Sequence, residues 1–468
     1  MVRVLEHLIL VGVFAAVFLA PWLFGAVERW AIHILTALLL VLLALWGVKA
    51  VLERAVRVHP TPMQGVLLGA LLVAALQIAG TPTTARDERA MAPTGAEASG
   101  GEYEPKVEAN LCRSYDPSGT RQAMWRLAML LGYFGLAHEL LRGPRRQVAA
   151  LVGLMILGSS LAVVGVIQKF AGNGRLLWIR EVEAGDLAFG PFVNRNHAAG
   201  FLEMLFPLPL ALIVGRGVAR ERWGICGFLA LVMGTALVLT GSRGGLLVLG
   251  AELILLPLLW GRMDAKAGRS RRFSVLITAA AGAGIALGVL WIGAEPIVSR
   301  WTQIEGITTV SADPLNRPMI WRATGEMIRD HVWWGVGLGA YGVAYTRYDR
   351  SIGLARVEQA HNDYLQLVAE LGVWGVGLLL GAFLALRRTL RRALGPMPRG
   401  ALVSPSVRGE RALALGVTVA LIGIGIHSAF DFNLQVTSNA LLCLFLLALL
   451  ENLGAHATEH PFLEEKEV

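Results

Sequence analysis

Residues 223–260 read WGICGFLALVMGTALVLTGSRGGLLVLGAELILLPLLW. Two apolar runs, 223–240 and 244–260, meet at Gly241-Ser242-Arg243-Gly244-Gly245. A helix needs about 20 apolar residues to cross a hydrocarbon core. Runs of this length, charged only at Arg243 and Glu252, specify two membrane helices joined by a tight turn. Strands of a transmembrane barrel would show short alternating segments instead.

The same pattern extends over the 468 residues. The chain is 55% hydrophobic and 16% charged, against about 25% charged for an average soluble domain. Its mean hydropathy is +0.57. These values exclude a soluble multi-domain enzyme, a disordered chain and a collagen-like one. The expected fold is an all-α polytopic membrane protein of about twelve spans: 4–25, 30–50, 63–80, 122–141, 148–169, 197–215, 223–240, 244–260, 273–293, 361–386, 412–429 and 434–453. The first run is like a signal peptide, but Pro21-Trp22-Leu23-Phe24-Gly25 offers no small-residue cleavage site, so it is read as a helix. No repeat of 20–50 residues is apparent.

The net charge of +8 has a topological reading before a nucleic-acid one. With the N-terminus placed in the cytoplasm, 23 of the 42 Lys and Arg fall in the shorter, inner segments. Both termini are therefore expected to be cytoplasmic. Cys112, Cys226 and Cys443 lie too far apart in kind and place to suggest a disulfide framework or metal site.

Helices 1–9 occupy residues 1–293, with long outer loops at 81–121 and 170–196. Residues 294–360 form a third, with Trp301, Trp321, Trp333, Trp334, Tyr341, Tyr345 and Tyr348 and a helical pattern through Pro318–Asp330. It reads as a folded subdomain of short helices against the membrane, or as an aromatic belt. Helices 10–12 follow at 361–453, and 454–468 is a cytoplasmic tail.

Unusual polar residues collect at the outer helix ends: Asn194-Arg195-Asn196-His197, Arg243, His361-Asn362-Asp363-Tyr364, and His427 with Asp431. Arg317, Trp321 and Arg322 lie in the long loop. Helix ends at one membrane face can converge on one cavity. Arginines offer a fixed fork of donors and stay charged, which suits a phosphate-bearing ligand. Histidine exchanges protons near neutral pH. No nucleotide-binding glycine loop and no Asp-x-Asp metal pair occurs. An outward-facing bacterial site has no nucleotide sugar, so its substrate must carry its own activation, as a lipid-linked diphosphate sugar does.

Each residue also has a plainer reading. Arg243 can anchor a helix at the interface. His361 can be a surface histidine beside the Asn362 cap, and Asn194 and Asn196 can be caps. Arg317 and Arg322 can pair with Glu326 or Asp330, because the loop holds equal numbers of acidic and basic residues. His427 and Asp431, four apart, can pair with each other. Glu203 and Glu252, inside apolar spans, are either functional or interhelical hydrogen-bonding groups.

His361-Asn362, nine residues, then Gly372-Val373-Trp374-Gly375 resembles the histidine signature of bacterial O-antigen ligases. Arg243, three residues, then Leu247 resembles their arginine signature. Gly190–His197 and Asn316–Trp321 look like further stretches of the O-antigen ligase/polymerase superfamily, the whole likeness covering about residues 150–435. The resemblance implies a GT-C-like, metal-independent membrane glycosyltransferase with no cofactor. Such enzymes move a glycan from undecaprenyl diphosphate to an acceptor sugar at the periplasmic face of the inner membrane. A ligase uses lipid A–core as acceptor and a polymerase uses a growing repeat unit; the ligase signature favours the former. The implied catalytic residues are His361 and Arg243. Substrate binding falls to Arg195, Arg317, Arg322, Asn362, Tyr364, His197 and Asp431. A solute transporter is the rival of another class, because some superfamily members were linked to inorganic-carbon uptake and fold alone does not fix function. A transporter should show related halves and polar sites near the midplane, whereas here the polar residues cluster at one face.

Overall fold

The computed structural model describes residues 1–56, 58–81, 113–181, 188–264, 267–292, 317–350, 356–395 and 404–459. Among them all regular structure is helical, apart from isolated bridges at Leu176–Arg180 and Phe189–Phe192. Eleven helices are long and apolar enough to cross a membrane. The expected span 122–141 is helical, over Pro117–Leu140, but is not one of the eleven. Arg121, Arg126 and Glu139 lie on it. The expected loop segments 82–112 and 293–316 lie outside the described residues.

The helices, in chain order, are α1 (Val2–Trp22), α2 (Arg29–Glu53), α3 (Pro62–Ala79), α4 (Pro117–Leu140), α5 (Pro144–Ala171), α6 (Arg195–Glu203), α7 (Pro207–Val214) and α8 (Trp223–Leu239). They continue as α9 (Arg243–Met263), α10 (Ala267–Ile292), α11 (Arg317–Asp330), α12 (Tyr341–Tyr345), α13 (Asp363–Leu371), α14 (Val373–Ala393), α15 (Pro405–His427) and α16 (Thr437–Glu459). The chain forms two compact units. The first comprises Met1–His59, Gly132–Thr309 and Leu386–Val468; the second comprises Pro60–Leu131 and Val310–Ala385.

In the first unit the segment Arg195–Val214 is buried along its whole apolar length. Its second half, Pro207–Val214, is apolar on all sides, the pattern of a helix surrounded by other helices. The segment is broken into α6 and α7 because Pro207 has no N–H to offer the carbonyl of Glu203, one turn back. Residues 223–260 do form the helical hairpin α8–α9. Gly241 takes a left-handed φ of 67° in the turn. The Ser242 side chain then caps α9 by accepting from the Gly245 N–H at 3.2 Å.

The second unit has its own apolar core. Ile320, Ala323 and Met327 of α11 pack with Tyr341, Ala344 and Tyr345 of α12, and with Tyr115, Val357 and Ala369. Within the expected subdomain 294–360, the described residues 317–350 thus contribute helices and aromatic side chains to this core. The expected span 361–386 is not one helix. Gly372 takes φ 60° and ends α13, and the apolar span is Val373–Ala393. A Cβ at Gly372 would meet the Val332 carbonyl oxygen at 2.5 Å, so no side chain fits there. α13 is a nine-residue helix outside the membrane spans.

Gln77 of α3 is buried and stitches this unit together. Its Nε2 donates to the carbonyls of Trp334 (2.6 Å) and Glu370 (2.9 Å), and its Oε1 accepts from the Leu338 N–H (3.1 Å). Gln77→Leu keeps the volume but strips these partners. The expected loss is on the order of 3 kcal/mol, because buried backbone groups are left unsatisfied. A thermal unfolding midpoint in detergent no lower than wild type would contradict this.

Candidate functional site

In the first unit, three chain segments meet around the starts of α6 and α9. Asn194 caps α6, its Oδ1 accepting from the Asn196 N–H at 2.9 Å. The Asn196 side chain donates to Asp431 Oδ2 at 2.7 Å, and the Phe432 N–H donates to Asp431 Oδ1 at 2.9 Å. The buried Asp431 carboxylate therefore fixes the start of α6 to the turn after α15. His197 is buried, with its ring edge-on to Phe432 at 4.7 Å. Its carbonyl accepts from Asn439 at 3.0 Å.

Arg195 opens α6 half-buried. Its Nε and Nη1 are shielded from solvent and have no hydrogen-bond partner among the described residues. Arg243 opens α9 and is exposed. A Cβ on Gly245 would lie 2.8 Å from the Ala199 Cβ, so the two helices touch near their N-terminal ends. Each helix start carries partial positive charge from its aligned peptide dipoles. Two such starts, each led by an arginine, form a surface suited to an anion.

Below that surface, His427 Nδ1 lies 2.8 Å from Glu203 Oε2 and 3.1 Å from Oε1, both side chains buried. The side chains of His427 and Asp431 each reach another helix segment: Glu203 for the former, Asn196 for the latter. Glu203 is thus an interhelical bonding group. Glu252 is fully buried on α9, and neither carboxyl oxygen has a hydrogen-bond partner among the described residues.

In the second unit, Trp321 of α11 donates its Nε1–H to the Ala360 carbonyl at 3.0 Å, next to His361. The Ala360 N–H donates to Gln366 Oε1 at 3.0 Å. Asn362 caps α13, accepting from the Leu365 N–H at 3.0 Å. Between these clamps His361 is half-buried with φ 50°, a left-handed conformation uncommon outside glycine. Such strain persists only where the surroundings enforce it, and it concentrates at functional sites. Arg317 starts α11 half-buried, while Arg322 and Tyr364 are exposed. The acidic groups read as their partners are engaged elsewhere: Glu326 by Arg350 at 2.8 Å, Asp330 by the Tyr348 hydroxyl at 3.0 Å.

Asp363, Gln366 and Glu370 form a buried polar stripe on α13. Gln366 Nε2 donates to Glu370 Oε1 at 3.1 Å. The charge of Arg126 on α4 acts on both Glu370 and Asp363. Arg126 falls in the expected span 122–141, and Gln366 and Glu370 in the expected span 361–386, where polar residues do not stand out as a site; the spacing of four between Gln366 and Glu370 is the signal the sequence offers. Among the described residues no group of three or more His, Cys, Asp and Glu is arranged to hold a metal.

With the fold and these groups in place, the class is an all-α, multi-pass membrane protein. Residues 228–380 match the family model described as O-antigen ligase, consistent with the O-antigen ligase/polymerase superfamily. The matched stretch includes Arg243, Arg317, Arg322, His361, Asn362 and Tyr364. It supports ligase- or polymerase-type activity in general, with lipid-linked glycan substrates. No curated protein matches the chain.

Burial pushes the Glu370 carboxyl up to about 7, against the Gly339 N–H, the Gln366 amide, the Arg126 charge and the Tyr341 N–H. An unfolded glutamate releases its proton near 4.5. Between those values the folded state holds the extra proton, so stability falls as pH rises and then levels off. Glu370→Gln should flatten this part of the profile. Thermal unfolding across pH 4 to 8 tests it, and identical slopes in both proteins would count against the assignment.

Proposed function

We propose that this protein transfers a glycan from undecaprenyl diphosphate to an acceptor sugar at the periplasmic face of the bacterial inner membrane, with lipid A–core as acceptor and both termini cytoplasmic. The observation that carries this reading is Arg195, whose shielded Nε and Nη1 donors lack a partner among the described residues at a paired helix start. Buried donors in that state call for an explanation, and a diphosphate answers it with oxygen acceptors and negative charge. The family match over residues 228–380 supports the same chemistry.

The acceptor hydroxyl oxygen attacks the anomeric carbon. The bond from that carbon to the diphosphate oxygen breaks, and its electron pair leaves with undecaprenyl diphosphate. One displacement inverts the anomeric centre. His361 takes the hydroxyl proton. Arg195 and Arg243 stabilise the charge that grows on the leaving group, in the role a metal fills in other transferases, so the reaction is proposed as metal-independent and GT-C-like. Arg317, Arg322, Asn362 and Tyr364 bind the glycan chains. His197 and Asp431 shape the anion-binding end of α6. A polymerase would share every step and differ only in taking a repeat unit as acceptor.

Purified protein given undecaprenyl-diphosphate glycan, with lipid A–core and a repeat unit as separate acceptors, tests the reading. Product on lipid A–core supports the ligase; product on the repeat unit makes the protein a polymerase. Solute uptake in liposomes with no transfer to either acceptor would make it a transporter. Arg243→Ala and His361→Ala should each lower transfer by about 100-fold or more while the protein remains inserted. Arg243→Lys keeps the charge but loses the two-pronged fork, and full activity there would remove the bidentate role.

A further inference from the structure

We propose that His427, held by Glu203, is a positioning residue for Arg243: its imidazole is the floor on which the first turn of α9 stands. The inference rests on the anion-binding role of Arg243 proposed above.

Glu203 sits on the buried α6, and His427 is the last residue of α15. Both Glu203 oxygens lie within hydrogen-bond distance of His427 Nδ1, at 2.8 and 3.1 Å. Both contacts are to one ring nitrogen and anchor that edge of the imidazole to α6. The opposite edge of the ring lies under Gly244, the neighbour of Arg243. A Cβ built on Gly244 would stand 2.5 Å from His427 Nε2 and 2.7 Å from its Cδ2. Only a glycine lets the backbone of α9 come this close. The Ser242 side chain keeps the shape of this turn by holding the Gly245 N–H. Gly245 is itself tight against Ala199 of α6.

Further along the same two helices the arrangement recurs. A Cβ on Gly423 of α15 would lie 2.7 Å from Glu252 Oε1 on α9. The helices α9 and α15 are therefore in contact at two heights, each time a glycine on one against a polar side chain on the other. Small residues at such contacts let membrane helices approach and packing set their register. The upper contact decides where α9 begins, and Arg243 is its first residue. His427 is buried beneath this turn. Its place suits support of the arginine, with proton transfer to substrate left to His361.

Charge stabilisation of a leaving group is steep in distance, and a displacement of about 1 Å can cost on the order of 100-fold in rate. Two variants shift the floor without touching Arg243. His427→Asn retains an amide donor for Glu203 but shortens the support. Gly244→Ala leaves the histidine and the glutamate in place and forces the turn upward. Each should lower kcat by about 10- to 100-fold, with donor KM within about twofold, the pattern of an interaction made only in the transition state. Glu203→Gln, which still accepts from the imidazole, should retain most activity.

The decisive measurement is the coupling to Arg243. In an Arg243→Lys background the same two changes should cost less than about threefold, since residues acting as a unit are not additive. Losses of equal size in both backgrounds would make His427 a general structural residue and overturn the proposal. Full kcat in folded His427→Asn and Gly244→Ala would also overturn it. If neither variant folds, the network serves stability alone and the proposal falls; if one folds, it decides. Wild-type transfer by Arg243→Lys and Arg243→Ala would instead remove the role of Arg243 itself, so failure of the functional reading is told apart from failure of this inference.

Discussion

Inside an apolar helical bundle no water answers a polar group, so the protein must answer it. That constraint organises both units. Gln77 is buried on an apolar helix, and its amide is satisfied at both ends by the backbone of residues 334–338 and 370. Glu203 is buried on another, and His427 meets it. Asp431 is buried at a helix end, and Asn196 and the Phe432 N–H meet it. In each case at least one partner comes from a distant part of the chain. The bonds therefore fix which segments are neighbours, a service the non-directional packing of leucines cannot provide.

Close backbone approach is the second half of the same solution. Gly244 against His427 and Gly423 against Glu252 put polar side chains where any other residue would place a methyl. The 54 glycines of this chain are too many to be conformational hinges. At α9 and α15 they are spaces that let polar groups sit between helices. Where φ is positive, as at Gly241 and Gly372, glycine has the other role and ends a helix sharply.

Much of the fold was legible in the sequence because span length and apolarity are local properties. Ten of the eleven candidate spans coincide with the expected runs to within a few residues, and the eleventh, α14, begins twelve residues later than expected. The errors came where tertiary contacts overrule local pattern. The segment 361–386 reads as one span, yet the Val332 carbonyl against Gly372 divides it. Partners were harder still. Glu203, the partner of His427, lies 224 residues away from it, and Asn196 lies 235 from Asp431. No spacing rule reaches that far. The buried Gln366 and Glu370 were missed for a related reason: once a run is taken as membrane-spanning, its polar residues look like exceptions rather than like one face of a short helix.

The two arginines that lead α6 and α9 show why burial and chemistry have to be read together. Arg243 is exposed and stands at the positive end of its helix. Arg195 is half-buried, and its shielded Nε and Nη1 have no acceptor among the described residues. Holding unsatisfied donors away from water costs stability, so this position is maintained against a folding penalty. The penalty is relieved when an acceptor-rich anion arrives, which makes binding energy available that a fully satisfied arginine would already have used. Arg243, by contrast, is hydrated until a ligand displaces that water, and its contribution depends on how well its helix start is placed. The pair thus divides the work between a donor set that is pre-formed and one that must be positioned, and it is the second that depends on the packing beneath it.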